Sequence, residues 1–235
     1  FQYNEVSGHH APWDGQGFDA DFNCRNTVIQ YNYSHDNDGG FLLICNPGPS
    51  EAKDNIGNLN TLVQYNLSIN DGLRTKPTSQ GMFSPVIHIA GPCKNTTIMH
   101  NILYMKKKLN KSIDCSMLTS DSWGGYSDGL IVKGNLFYAE QKSEIKLNKS
   151  THNWFENNLY LGKMKKLDID KSGKMRINST LFHPLRKSLT ETLVSHFLYR
   201  KRIAGGEADM WVVNDKAMFC FFKCLKMENL YAISQ

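Results

Sequence analysis

The 235-residue chain has no apolar run approaching ~18 residues, so no membrane-spanning helix is expected. Its six cysteines are Cys24, Cys45, Cys93, Cys115, Cys220 and Cys224. They form no CxxC pair and no Cys/His cluster at zinc spacing. They read as free and buried, with Cys220 and Cys224, four apart, on one helix face. There is no glycine-rich phosphate loop, nucleophile elbow or dinucleotide fingerprint, which argues against nucleotide and serine-hydrolase chemistry. Basic residues are scarce where a nucleic-acid protein would carry them: the first hundred residues hold 5 Lys+Arg against 9 Asp+Glu. The formal net charge of +5 arises in the tail, because residues 1–170 hold 16 basic against 17 acidic side chains and residues 171–235 hold 11 against 5. Nucleic acid is not an expected partner, and Lys106-Lys107-Lys108 reads as a solvated loop. The chain starts at Phe1 with no signal-peptide pattern before it, so it reads as a fragment or a processed chain.

What the sequence does contain is a repeat. The phrase apolar-x-x-Asn recurs at Asn4, Asn32, Asn66, Asn101, Asn135 and Asn158, with Gln-Tyr-Asn in the first three copies. In the last five an apolar residue follows directly: Tyr33, Leu67, Ile102, Leu136 and Leu159. The stretches between copies lack helical periodicity. They are short runs rich in Val, Ile, Tyr, Phe and Thr, punctuated by Gly and Asn. This predicts an all-β solenoid, a right-handed parallel β-helix of about six coils. The six Asn residues would then sit at equivalent corners and hydrogen-bond along a ladder. Asn32 and Asn66 also begin glycosylation sequons, which a buried ladder would block.

Two phrases, Trp13-Asp-Gly-Gln-Gly-Phe-Asp-Ala-Asp21 and Ile29-Gln-Tyr-Asn-Tyr-Ser-His-Asp-Asn-Asp-Gly-Gly-Phe-Leu-Leu-Ile-Cys45, resemble right-handed parallel β-helix repeat proteins of the pectate-lyase-like superfamily. Val86–Pro92, Asn95–Ile98 and Asn157–Tyr160 are similar to further coils of that group. The resemblance covers residues 1–165 and is specific for fold, not for reaction. It implies a monomeric protein that meets a polysaccharide or oligosaccharide outside the cytoplasm, in the periplasm or at the cell surface. Residues 166–235 depart from it. Leu181–Pro184 and Gly205–Trp211 are similar to a closing segment of such proteins; the rest reads as a cap or an irregular tail, with a helical cap over the last coil at Leu189 to Arg202.

Candidate chemistry gathers in residues 5–38, which hold six carboxylates and three of the eight histidines. In Phe18-Asp-Ala-Asp-Phe22, period two turns Phe18, Ala20 and Phe22 inward and Asp19 and Asp21 outward. Residues two apart on a strand are ~6.5–7 Å apart. That is close to the ~6.5–9.5 Å of inverting glycosidase carboxylates and above the ~5–5.5 Å of retaining ones. Asp19 and Asp21 are therefore candidate acid/base residues, or ligands of a shared Ca²⁺. His88, outward between Ile87 and Ile89, would lie ~9–10 Å from Asp19, with Leu42 between. His35 and Asp36, in a turn with Gly39 and Gly40, are further acid/base candidates. Arg74, then Lys76, would offset a uronate carboxylate. Trp13, Asp14, Trp123 and Tyr126 are candidate sugar-binding residues, and Trp154 is assigned to the core. The leading reading is a glycoside hydrolase. The alternatives are a polysaccharide lyase using Ca²⁺ and a basic residue, and a non-catalytic glycan-binding scaffold.

Overall fold

A computed structural model describes residues 1–50, 53–79, 81–108, 114–176, 189–202 and 209–224. Three wholly parallel sheets dominate it. In the first, Glu5–Ser7, Tyr33–His35, Leu67–Ile69, Ile102–Met105, Leu136–Ser143, Leu159–Met164 and Lys174–Arg176 lie side by side in that order. In the second the order is Val28–Gln30, Leu62–Gln64, Thr97–Met99, Ile131–Lys133 and Trp154–Glu156. In the third it is Gln16–Ala20, Gly40–Cys45, Ile87–Ala90, Leu118–Asp121 and Ile145–Lys146. Strands neighbour one another in chain order in all three, so each passage of the chain extends the sheets together. The first sheet runs on past residue 165 to Arg176.

Inward positions are stacked by register. Ile29, Val63, Ile98, Val132 and Phe155 form one buried column. Leu42, Ile87 and Leu118 form another. Full burial of each such side chain contributes ~1.5–3 kcal/mol, and the β-branched members suit a pleated surface covered on one side.

The recurrent Asn residues lie at the corner between the second and first sheets. Asn4 Nδ2 donates to Asn32 Oδ1 at 2.9 Å, and Asn32 donates to Asn66 at 3.0 Å. Asn66 donates to Asn101 at 2.9 Å, Asn101 to Asn135 at 3.0 Å and Asn135 to Asn158 at 3.0 Å. Asn158 ends on Asp170 Oδ2 at 2.7 Å, so a carboxylate terminates the row. Each Asn Oδ1 from Asn32 to Asn158 also accepts the backbone N–H of the preceding member. Asn32, Asn66, Asn101 and Asn135 are fully buried, and so are the two sequon asparagines among them.

The residue before each Asn turns the corner with positive φ: Tyr31 at 53°, Tyr65 at 53° and His100 at 53°. Such backbone costs an L side chain ~1–3 kcal/mol, and ring stacking offsets part of it. Tyr3, Tyr31, Tyr65 and His100 are stacked at 5.4, 5.2 and 5.2 Å. The next corner uses Gly134 at φ 62°, where a Cβ would lie 2.7 Å from the His100 ring. Dense packing around His100 pushes its pKa down to about 4, with Lys133 adding to the shift.

The C-terminal segment contains helix α1 (Leu189–Phe197), an antiparallel pair (Leu198–Arg202 with Asp209–Val213) and helix α2 (Asp215–Cys224). The helix expected over Leu189 to Arg202 thus gives way to a strand after Phe197. Leu193, Phe197, Leu198, Val213, Met218 and Phe222 pack onto Tyr33, Leu67, Ile69, Ile102, Leu136 and Leu159. The segment therefore covers the side of the first sheet. The cause is compositional: the outward residues of that sheet are apolar and need cover. Leu181–Pro184 and residues 205–208, part of the closing-segment similarity, lie outside the described residues.

Other expectations need correction. Trp154 is not in the core: Phe155 takes the inward position, which leaves Trp154 61% exposed. Lys108 is not solvated. It is buried, donating to the carbonyls of Asp114 at 2.8 Å and Ser84 at 3.2 Å, and desolvation lowers its pKa to about 8. Cys24, Cys45, Cys93 and Cys220 are free thiols, but Cys220 is exposed on α2 and Cys24 and Cys115 are only half-buried.

Candidate functional site

The outward face of the third sheet carries polar groups. Asp19 pairs in register with Leu43, Leu43 with His88 and His88 with Thr119. The residue between Asp19 and His88 is thus Leu43. The expected Leu42 points into the core with Ile44, and the alternation from Leu42 to Cys45 leaves Leu43 and Cys45 outside. Leu43, Cys45 and Ala90 form a small apolar floor on the outside.

A cavity of about 230 Å³ opens over this floor. Its walls include Trp13, Asp14, Arg74, His88, Asp121 and Trp123. Trp13 and Trp123 are 110 residues apart in sequence, yet line one space. The Trp123 ring meets Phe22 edge-on at 6.0 Å, next to the acidic strand. The turn carrying Trp13 and Asp14 is pinned from below. Arg74 donates to the carbonyls of Ala11, at 2.9 Å, and Asp14. Gly39 packs so tightly there that a Cβ would collide with the Asp14 carbonyl. Burial lowers the Arg74 pKa, against the pull of Asp38 and Asp14. Two nitrogens of its guanidinium are thus committed to the backbone, and Lys76 is exposed outside the cavity lining.

His88 is braced on two sides. Its Nε2 lies 2.9 Å from Asp121 Oδ1, and Phe83 meets the ring edge-on at 4.8 Å. Neither Asp121 nor Phe83 stands in a recurrent motif. The alternation Leu118-Thr-Ser-Asp121 was the one available signal that Asp121 points outward.

Asp19 is solvent-exposed and Asp21 half-buried. One oxygen of each lies within 4.8 Å of the other and of Cys45 Sγ. The side chains lean together, closer than the strand repeat suggested. Asp19 stands among dense packing even though it reaches solvent. That desolvation, then the charges of Asp21 and Asp14, raise its pKa to about 7. Asp21 Oδ1 accepts from Phe22 N at 2.8 Å and from the Cys45 thiol at 3.3 Å. The Cys45 thiol is pushed strongly up by burial and by these carboxylates, which keeps it protonated. Two carboxylates and a neutral thiol do not meet the six to eight oxygen ligands that Ca²⁺ takes. As it stands, the cluster does not fit that ion.

His35 and Asp36 lie elsewhere, at the end of the first sheet. His35 Nδ1 is 2.8 Å from Asp36 and its Nε2 3.2 Å from Glu5. Burial opposes the charged ring, but these two acceptors outweigh it and raise the pKa. Glu5 also accepts the Trp211 N–H at 2.8 Å, so the cluster joins the body to the tail. Neither residue lines the cavity, and nor does Tyr126.

No family model matches the chain. A lacto-N-biosidase of Bifidobacterium longum subsp. longum is 29% identical over 170 residues. The match takes in 68% of this chain and 9% of that protein's length. Among the described residues, no helix is long and apolar enough to cross a membrane.

Proposed function

We propose that this chain is the glycan-cleaving region of an extracellular glycoside hydrolase built on a right-handed parallel β-helix of about six coils. Three sheets extended in chain order, the buried Asn row and the stacked corner beside it support that architecture. The tail is then a lateral cover, with the β-helical body reaching Arg176. The observation that carries the function is the Asp19–Asp21 pair at Cys45: Cys45 lines the cavity walled by Trp13, Asp14 and Trp123, the two carboxylates stand at its edge outside the lining, and the Asp19 pKa is raised to about 7.

In this reading a sugar ring stacks on the tryptophans, while His88, Asp121 and Asp14 hold its hydroxyls. Asp19, protonated below about pH 7, gives its proton to the glycosidic oxygen as the C–O bond breaks. Asp21 faces the positive charge at the anomeric carbon. Inversion needs room for a water between the carboxyl groups, at ~6.5–9.5 Å. One oxygen of each lies within 4.8 Å of the other, nearer the ~5–5.5 Å of retaining enzymes. We therefore assign retention: Asp21 forms a glycosyl ester, and water then cleaves it with Asp19 as base. The relative's name makes lacto-N-biosides the first substrates to try. Nothing favours the lyase alternative, since Arg74 is occupied by backbone carbonyls.

The test is incubation with neutral oligosaccharides, lacto-N-biosides among them, and with uronate polysaccharides. New reducing ends without absorbance from unsaturated products support the hydrolase. Both signals together point to a lyase. Binding without either leaves a scaffold.

A further inference from the structure

The face that carries Asp19 does not end at His88. Thr119 pairs with His88 on one side and with Lys146 on the other. Ile145 is inward and buried, so Lys146 stands outward in the same column as Asp19, Leu43, His88 and Thr119. Four strand spacings separate Lys146 from Asp19, ~19 Å.

At this far end lies a second cavity, of about 630 Å³, lined by Asp114, Cys115, Ser116, Lys142, Ser143, Glu144, Lys146, Lys163 and Lys165. Four ammonium groups face two carboxylates. Lys146 is taken by Asp114, with Nζ to Oδ1 at 3.1 Å. Asp114 is itself held by Ser116, which donates from its backbone N–H at 2.9 Å. Burial works against its charge, but these donors and Lys146 bring its pKa down. Lys142, Lys163 and Lys165 are exposed. Buried Lys108 adds a further cation behind the wall, bonded to the Asp114 carbonyl. Concave walls with an excess of one charge concentrate the opposite charge. The acidic and basic ends of one sheet face thus stand a strand-stack apart, on the line that an extended saccharide would follow.

We propose that this lysine-lined cavity is an anion-accepting subsite for a saccharide unit bearing a carboxylate or sulfate group. The proposal deepens the hydrolase reading and rests on it for the claim that the same glycan reaches Asp19. The binding claim does not need turnover. Lysine suits this role because its ammonium groups act as point charges on flexible stems and do not demand one planar geometry.

The test is calorimetric titration of the full chain with three probes: a sulfated oligosaccharide, its desulfated counterpart and inorganic sulfate. The sulfated oligosaccharide should bind about tenfold or more tightly than either of the others. Raising salt from about 50 mM to about 200 mM should weaken that preference, because the lysines are exposed and screened. Combined Lys142→Gln, Lys163→Gln and Lys165→Gln should abolish it without moving the thermal midpoint. Asp19→Asn should keep it. A hydrolase that shows no such preference would sink the subsite and leave the catalytic reading intact. A preference retained in an Asp19→Asn protein that never cleaves would leave the subsite standing. Equal affinity for sulfated and desulfated sugar, equal affinity for inorganic sulfate, or wild-type behaviour of the triple variant would each overturn the subsite.

Discussion

His88 Nε2 and Asp121 Oδ1 lie 2.9 Å apart on neighbouring strands, at the wall of the cavity that Asp14 and two tryptophans complete. The pair joins a histidine that alternation exposes to a carboxylate 33 residues further on. If the two act as one unit on a sugar hydroxyl, their losses should not add. Asp121→Asn and His88→Ala should each raise KM about tenfold with kcat changed less than about twofold, and the double variant should be no worse than either. Steady-state kinetics of the three proteins decide this. Additive effects would separate the two residues.

Asp19 makes stability fall with pH. Its carboxyl has a pKa of about 7 in the folded chain against an ordinary 3.8, so the folded state holds the proton more tightly. The contribution is fully present below pH 3.8 and is lost as pH rises through about 7. Asp19→Asn removes the charge. Its thermal midpoint should match wild type near pH 4 and exceed it above pH 7. Parallel midpoints across that range would contradict a raised pKa.

The Asn row should be stiff in the middle and soft at its start. Asn66 accepts from Asn32 and donates to Asn101 and the Ile29 carbonyl, all in dry surroundings. Asn66→Leu strands these partners, at ~1–3 kcal/mol for each buried group left unpaired. Asn4, which is only half-buried, gives Asn4→Leu a cost below ~1 kcal/mol. Urea midpoints give both values. Equal costs would show that the row contributes little beyond local turns.

Much of this architecture is legible in the sequence. The recurring Asn marks the corners because a dry corner needs a side chain that both donates and accepts. Phe18 and Ala20 mark Asp19 as outward, but the strand ends at Ala20 and the chain turns there, so Phe22, expected inside, is 45% exposed. Other features escape. Asn60 Nδ2 bonds Asn26 at 3.0 Å and Asn95 Nδ2 bonds Asn60 at 3.3 Å, a second row marked only by Asn-Thr three residues ahead of the inward Ile29, Val63 and Ile98. Asn37 Nδ2 donates to Asp71 at 2.8 Å, and burial raises that carboxyl to about 6. An Asn above an Asp does not read as a repeat. Trp154 was legible, since Phe155 is the inward residue of its Asn phrase; Lys108 and the lateral tail were opaque for one reason. Whether an outward residue meets water or a distant segment is decided by long-range packing.

That packing has its own test. Phe197 is fully buried where α1 meets the first sheet. Phe197→Ala should cost ~3–5 kcal/mol, as for other large core truncations. If the tail and body unfold as one unit, the whole transition should shift in differential scanning calorimetry. A separate low-temperature transition, with the main one unmoved, would show that the cover melts by itself.

The central claim is that Asp19 supplies the proton to the leaving group. The direct measurement is kcat/KM of wild type and Asp19→Asn on two glycosides of one sugar, with a sugar leaving group or an acidic phenol. A phenolate leaves without a proton, so only the first substrate needs the acid. The account predicts a loss of ~10²–10⁴ on the sugar leaving group and a much smaller loss on the phenol. Equal losses on both, or none on either, would contradict it.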